Sequence, residues 1–397
     1  MVLLSKKITE LEESATLAMA RKARELKEKG RKIINLSLGE PDFNTPAFIK
    51  NAAKQAIDQN FSKYTPVPGY KDLLNTISNK FERDNNLIYH ENQIVCSTGA
   101  KQSIAQLLMV LLNKNEEVIL PAPYWVSYYQ MIKLAEGKPK VIQTDIETDF
   151  KISPQQLEEA ITSKTKAFLF SSPCNPTGSV YSKNELYDLA NVFQKYPEVI
   201  IISDEIYEHI NFTQNHFSIG SIEEIKNQVV TINGLSKGYA MTGWRFGYLG
   251  APLEIAKACV KMQGQITSAT CSITQRAAVT ALSEHPKCTH EMRNKFKKRR
   301  DLMIELLSEI AGLKVNKPQG AFYIFPNIKK YIGRSYKNYQ INSANDLALF
   351  LLEDCGVSTV SGDAFGANEY IRISYAVSET DLKQACNLIK HSLKKLS

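Results

Sequence analysis

The chain lacks every cysteine pattern that would tie it to a disulfide framework or a metal. Its seven cysteines, Cys96, Cys174, Cys259, Cys271, Cys288, Cys355 and Cys386, are odd in number and scattered, with no CxxC pair. That argues against a stapled secreted fold and against a zinc site, and it suits a reducing compartment. No apolar run approaches the roughly 20 residues that cross a bilayer. The opening stretch, MVLLSKKITELEES, turns charged too soon for a secretory signal. The expectation is a soluble cytoplasmic protein that holds no metal. Walker-type loops, HExxH helices and GxSxG elbows do not occur, and there is no internal repeat or low-complexity tract. Charge of one sign is also scarce, since 49 Lys and Arg against 41 Asp and Glu leave only +8. The densest basic run, Lys297, Lys298, Arg299 and Arg300, lies in a long helical pattern and reads as a solvated face rather than a nucleic-acid site. A modest positive excess suits anionic small molecules.

What is present is an ordinary globular balance of 43% hydrophobic and 23% charged residues over 397 positions, enough for two or three domains. The pattern alternates helix and strand. A charged amphipathic helix over 16–29 stops at Gly30. Strands are expected at Ile94–Val95, Glu117–Pro121, Lys166–Ser171, Val199–Ile202 and Val229–Ile232. Helices are expected at Ala100–Leu112, Pro154–Ile161, Lys183–Lys195, Glu254–Gln263, Ser272–Ser283 and His290–Ile310. The continuous apolar run Val199–Ile202 is what a parallel strand covered on both faces needs. Beyond it come short strands around Ala321–Phe325 and Ile371–Ser374, with helices over Asn345–Cys355 and Glu379–Lys394.

The stretch Asn233–Gly250, NGLSKGYAMTGWRFGYLG, carries the chemistry. Lys237 stands among small residues and Arg245 follows eight residues later between Gly243 and Gly247. A desolvated lysine loses its proton readily and attacks a carbonyl, an arginine forks onto phosphate, and glycines admit a ligand close to the backbone. Together they point to a phosphorylated aldehyde held covalently, pyridoxal phosphate. A second candidate is the turn Ser97-Thr98-Gly99 before a helix. It is either an anion site of free amides or an ordinary helix start capped by Thr98 or Ser97. Asp204, at the end of an apolar strand, is a turn residue by default. Beside a protonated pyridine nitrogen it would keep the ring electron-poor.

Gly234, Ser236, Lys237, Gly243, Arg245 and Gly247, with the GEPDF turn, the NPTG tetrapeptide that begins at Asn175 and the ordered series Gly39, Tyr64, Trp125, Asn175, Asp204, Tyr207 and Arg372, resemble class I aminotransferases of the prokaryotic aspartate aminotransferase type along nearly the whole chain. The resemblance implies an α/β protein of fold type I: a mostly parallel seven-stranded sheet in a large pyridoxal-phosphate-binding domain (46–290), with a second, smaller α/β domain built from 291–397 and an N-terminal segment (1–45). It implies a homodimer with shared active sites. It assigns Lys237 to the covalent bond and to proton transfer. Gly99, Ala100, Lys101, Ser236, Arg245 and Tyr64 of the partner subunit go to the phosphate, and Trp125 to the ring face. Asp204 goes to the ring nitrogen, and Tyr207 and Asn175 to the ring hydroxyl. Gly39, Asn175, Trp125 and Arg372 take the substrate carboxylate, and Lys101 its acidic side chain.

The implied reaction is transamination between aspartate and 2-oxoglutarate, giving oxaloacetate and glutamate, ping-pong through pyridoxamine phosphate. The segment Gln263–Ser272 carries no arginine where other subgroups clamp a side-chain carboxylate. That leaves aromatic amino acids or prephenate open as substrates. Gly234 is a further departure, since some relatives place a serine there on the phosphate. A lyase on the same scaffold and a non-catalytic effector-binding module are the remaining readings. The latter carries an added DNA-binding domain, for which no room is expected before the first helix.

Overall fold

In a computed structural model of the chain, residues 3–213, 216–283 and 287–397 are described. Seven strands form the central sheet: β1 (Ile94–Ser97), β2 (Glu117–Ala122), β3 (Lys138–Gln143), β4 (Thr165–Ser171), β5 (Ile200–Asp204), β6 (Val229–Gly234) and β7 (Gly247–Gly250). Their order is β1-β7-β6-β5-β4-β2-β3. The pairs among β2 to β6 are parallel, and β7 alone runs against its neighbours β1 and β6. The mostly parallel seven-stranded sheet expected from the sequence is therefore the sheet observed.

Successive strand residues face opposite layers, and both layers are apolar. Leu120, Ile202 and Val230 join a cluster under the helices Ala100–Leu111, Val126–Leu134 and Leu253–Ile266. Ile119, Ile201 and Val229 point the other way, under Pro154–Ala160 and Lys183–Phe193. Those two helices start on capping boxes, Ser153 with Gln156 and Ser182 with Glu185, which satisfy free amides at each N-terminus. Helices Ala47–Asp58, Lys71–Asn85 and Ser272–Ser283 cover the β1–β7 edge.

The C-terminal region has its own antiparallel sheet of β8 (Tyr323–Ile324), β9 (Val360–Ser361) and β10 (Ile371–Ser374), in the order β9-β10-β8. Ile34–Asn35 pairs in parallel with Val357–Ser358. The helices Lys287–Ser308, Ala344–Cys355 and Glu379–Leu393 pack over this sheet. The same core takes in Tyr207 and Ile210, so the two regions meet at the segment that follows β5. Among the described residues no helix is long and apolar enough to cross a membrane.

Several expectations shift. Asp204 is the last residue of β5 rather than the first beyond it. The C-terminal strand expected over Ala321–Phe325 contracts to Tyr323–Ile324. The basic run is only half solvated: Lys297 and Lys298 are exposed, but Arg299 and Arg300 are buried. Arg299 forks onto Asp42 at 2.7 and 2.8 Å, and Arg300 donates to the Pro318 carbonyl at 3.1 Å. Consecutive residues on a helix point about 100° apart, so a run of four necessarily turns part of itself inward.

Candidate active site

The C-terminal ends of the parallel strands open into a pocket of about 460 Å³, the place where ligands gather in open α/β sheets. Asp204 ends β5, Ser236 and Lys237 follow β6, Trp125 follows β2, and Ala100 follows β1. The C-terminal region closes the far wall with Tyr323 and Arg372.

One corner is a turn of close backbone contacts. Gly99 is the N-cap of helix Ala100–Leu111 with φ 86°, a left-handed value that favours glycine, and no side chain caps the helix. Neither Thr98 nor Ser97 is the cap. Ser97 instead bonds the Ser103 hydroxyl, while the Thr98 amide donates to Gln102 Oε1 at 2.6 Å. The first amides of the helix are left without intrahelical acceptors. A Cβ at Gly99 would stand 2.2 Å from Arg245 Nη2, and one at Gly247 the same distance from the Ala100 amide nitrogen. Any side chain at either glycine would fill this cradle. Arg245 itself donates to the carbonyls of Thr242 at 2.9 Å and Thr98 at 3.5 Å. Gly234 has a packing reason as well: a Cβ there would lie 2.8 Å from the Phe246 carbonyl oxygen.

The opposite corner is built on Arg372. Its residue is 2% exposed. Nη1 donates to Asn175 Oδ1 at 3.0 Å, Nη2 donates to the Ser37 carbonyl, and Nε is buried with no partner. The guanidinium stacks 4.5 Å from the Tyr323 ring, and Tyr323 shares a hydrogen bond of 2.8 Å with the Tyr207 hydroxyl.

Between the corners lies Lys237, whose Nζ donates to the Gly39 carbonyl. Burial, reinforced by the charge of Arg372, lowers its pKa to about 8. Beneath it Asp204 accepts from the Tyr128 hydroxyl at 2.5 Å and from the Ile206 amide at 3.2 Å. Burial raises the Asp204 carboxyl to about 6, against the pull of the Tyr128 hydrogen bond. Lys101 sits 4.9 Å above the Trp125 ring, its pKa lowered by burial and by Arg245.

Lys237, Arg372, Arg245 and Lys101 are thus four cations around one pocket, and among the described residues none of them is ion-paired. Their partners are carbonyls, an amide and rings. Arg372 is buried and Lys237 partly so, while Lys101 and Arg245 keep contact with solvent. The pocket's own carboxylates, Glu40 and Asp204, act on Lys237 without pairing to it, and a buried cation without a paired carboxylate suits an anionic ligand. Nearly every residue singled out in the sequence lines this space. Gly99 shapes the turn behind it, and Tyr64 is 98% exposed and lies outside it. Sequence reading missed Tyr128 and Tyr323. Tyr128 stands three residues beyond Trp125, a helical spacing that places both on one face, and Tyr323 ends the GAFY stretch. Ser14, Thr16 and Leu17, from the start of the N-terminal helix, also line the pocket without having been foreseen.

The fold and this lysine-centred, cation-lined pocket define an enzyme that binds an anionic cofactor at the carboxyl edge of its sheet. The chain belongs to the class I and II aminotransferases, whose family model matches residues 31–389. It is 44% identical to an aspartate/prephenate aminotransferase of Cereibacter sphaeroides over 98% of both chains. It is 45% identical to a probable aspartate/prephenate aminotransferase of Rickettsia bellii, over 97% of this chain and 98% of the relative. Among solved structures, the aspartate aminotransferase of Rhizobium meliloti superposes with a TM-score of 0.96 at 38% identity, covering 100% of both chains. That of Thermus thermophilus with maleate gives 0.93 at 36%, covering 99% of this chain and 100% of that one. The protein is an aminotransferase of the aspartate transaminase-like, fold type I kind and depends on pyridoxal phosphate. The residues present fit that group: the glycine cradle, the first amides of helix Ala100–Leu111 and Arg245 suit a phosphate, and Lys237 suits its aldehyde.

Proposed function

We propose that the protein transfers the amino group between aspartate and 2-oxoglutarate, in two half-reactions that share one site. The observation that carries this is the set of four cations without carboxylate partners. A phosphate dianion and a substrate with two carboxylates supply the missing charge. Bound pyridoxal phosphate supplies an electron sink for the carbanion and carries the amino group between the half-reactions.

The chain's own residues do the rest. The amides of Ala100 and Lys101, with Ser236 and Arg245, hold the phosphate at the Gly99 turn, and Tyr64 of the partner subunit completes that shell. The full exposure of Tyr64 in one subunit supports this shared arrangement. Trp125 covers the ring face. Asp204, oriented by Tyr128, sits at the ring nitrogen, and Asn175 and Tyr207 face the ring hydroxyl. Arg372 forks onto the α-carboxylate, using the Nε that has no partner in the protein, and Asn175 and the Gly39 amide fix its second oxygen. Lys237 Nζ takes the proton from the substrate α-carbon; its pKa of about 8 raises the share of neutral amine near neutral pH far above that of a solvated lysine. The pairing of Ile34–Asn35 with Val357–Ser358 supports grouping residues 1–45 with 291–397 as a smaller domain against 46–290.

One observation favours a broader substrate range. A side cavity of about 190 Å³, lined by Leu11, Val126 and Met131, adjoins the pocket at Ser14, Lys101 and Ser127. It offers space to a ring-bearing substrate such as an aromatic amino acid or prephenate.

The test is the absorption of the cofactor-loaded protein, titrated separately with aspartate, glutamate and phenylalanine. Loss of the bound-aldehyde band with the two acidic amino acids at low concentration, and its return with 2-oxoglutarate, is expected. An equal response to phenylalanine makes the broader reading the right one, and no response to any of the three overturns both.

A further inference from the structure

The short segment from Asp204 to His209 faces two ways. Asp204, Ile206 and Tyr207 line the pocket, while Glu205, Glu208 and His209 turn into a second, closed cluster behind it. Glu205 accepts from Ser203 Oγ at 2.9 Å and Ser218 Oγ at 2.5 Å, and its Oε2 lies 2.8 Å from His216 Nε2. Glu208 accepts from the Lys80 ammonium and, at 2.6 Å, from Asn85 Nδ2. Lys80, wholly buried, also donates to Asn85 Oδ1 at 2.6 Å. Glu205, Glu208 and His216 bring ligand atoms within 4.8 Å of one another, as a metal site would. The Lys80 ammonium serves Glu208, and His216 and Ser218 serve Glu205, so each carboxylate already has partners from the protein.

Its reach toward the pocket runs through His209. The imidazole Nε2 lies 3.2 Å from Glu208 Oε1, and the ring stands edge-on to Tyr239 at 5.4 Å. A Cβ placed on Gly238 would lie 2.8 Å from His209 Cδ2 and 2.9 Å from its Cβ. The backbone immediately after Lys237 therefore rests on this ring. On the same side of the chain the Ala240 amide closes a turn onto the Lys237 carbonyl at 3.3 Å.

We propose that the buried cluster of Lys80, Asn85, Glu205, Glu208 and His216 is a positioning device for the reactive lysine, with His209 as the stop against which the Lys237–Gly238 backbone is seated. The same segment fixes Asp204 and Tyr207, so one rigid turn sets both the lysine and the groups that face the cofactor ring. His209 touches no reacting atom and is a positioning residue. The inference rests on Lys237 being the covalent anchor and the base.

The experiment compares wild type, His209→Ala, Gly238→Ala and the double variant as holoenzymes. Each single change is expected to lower kcat about 10-fold with KM within about twofold, since a misplacement of about 1 Å can cost about 100-fold in rate. The double variant should regain most of the loss, because the new methyl occupies the space the ring has left. A second readout uses the cofactor-free proteins: the pH midpoint for capture of pyridoxal phosphate, fixed with borohydride and located by peptide mass. In the single variants the midpoint should move toward that of an ordinary lysine. A purely structural role would lower the melting temperature yet leave kcat per cofactor-bearing site and the capture midpoint at wild-type values, and that result overturns the proposal. If His209→Ala does not fold, His209→Phe keeps a ring against Gly238 and should hold kcat within about threefold. A loss as large as ten-fold there also overturns it. If wild type fixes the cofactor at a residue other than Lys237, the anchor reading fails and this inference falls with it. If wild type fixes it at Lys237 and the variants match wild type, the positioning role alone is refuted.

Discussion

Two buried groups of charges lie back to back across the Asp204–His209 segment, and they are balanced in opposite ways. Behind it, Lys80 and His216 meet Glu208 and Glu205 at hydrogen-bonding distance, with Asn85 and Ser218 as further donors. In front of it, Arg372 and Lys237 have only neutral partners and Arg372 Nε has none. Burial penalises charge on both sides alike. On the closed side the protein supplies its own countercharge, and Glu208 is held well below the usual carboxylate range: burial pushes it up, but the Lys80 ammonium and its neighbours pull it down further. On the open side burial, reinforced by Arg372, outweighs the pull of Glu40 and Asp204, and Lys237 falls to about 8. A fold can carry a reactive, under-compensated site when the charges in the wall behind it are paired.

The largest effects should come from breaking either side. Lys237→Ala removes the amine on which capture and proton transfer depend, so turnover should fall at least ~10³-fold; steady-state rates with aspartate and 2-oxoglutarate measure it. Undiminished activity would sink the assignment of the anchor. On the closed side, Lys80→Met leaves the Glu208 carboxylate buried without its cation. Removing one partner of such a pair costs about 3–5 kcal/mol of stability, read by urea denaturation, whereas the joint change Lys80→Met with Glu208→Gln should cost clearly less. Arg372→Lys keeps a charge but loses the planar fork, and kcat/KM for amino acids should drop ~100-fold, mainly through KM.

The pH behaviour separates the two sides further. A lysine whose pKa is lowered from 10.5 to about 8 by burial and by Arg372 is largely neutral above pH 8. Capture of pyridoxal phosphate by the cofactor-free protein should therefore rise with pH through about 8 and level off above it. A midpoint near that of a solvated lysine would show that the pocket does not desolvate the amine.

The open side was far more legible in the sequence than the closed one. Lys237 and Arg245 are legible because their spacing among glycines resembles a family motif, the turn before Gly99 was open between an anion site and an ordinary helix start, and Asn175 and Asp204 follow turn and strand-end patterns. The sheet was equally readable, since Val199–Ile202 and its counterparts form unbroken apolar runs. Lys80, Asn85 and His216 carry no local mark. Lys80 and Asn85 lie on a helix far in sequence from Glu208, and only folding brings them together. The same holds for Arg299 and Arg300, which look solvated in a basic run until the helix turns them toward Asp42 and Pro318. Side-chain capping at Thr98 failed for a related reason: the left-handed Gly99 takes the N-cap itself, and no side chain caps the helix.

The smallest effect tests the finest point, which of the four cations reads the substrate side chain. Lys101 lies at the junction of the main pocket with the side cavity, 4.9 Å above Trp125, with no carboxylate partner. If it meets the distal carboxylate, Lys101→Ala removes one charged hydrogen bond at a partly exposed position. A loss of ~10-fold in kcat/KM for aspartate follows, with phenylalanine changed less than about twofold. If both substrates lose equally, Lys101 serves the phosphate through its charge, and the acidic side chain is recognised elsewhere. If phenylalanine improves while aspartate falls, the ammonium guards the mouth of the side cavity, and its removal opens the pocket to rings. The ratio of the two substrates, rather than either rate alone, distinguishes a specificity cation from a cofactor cation, because a phosphate contact is common to both reactions and cancels.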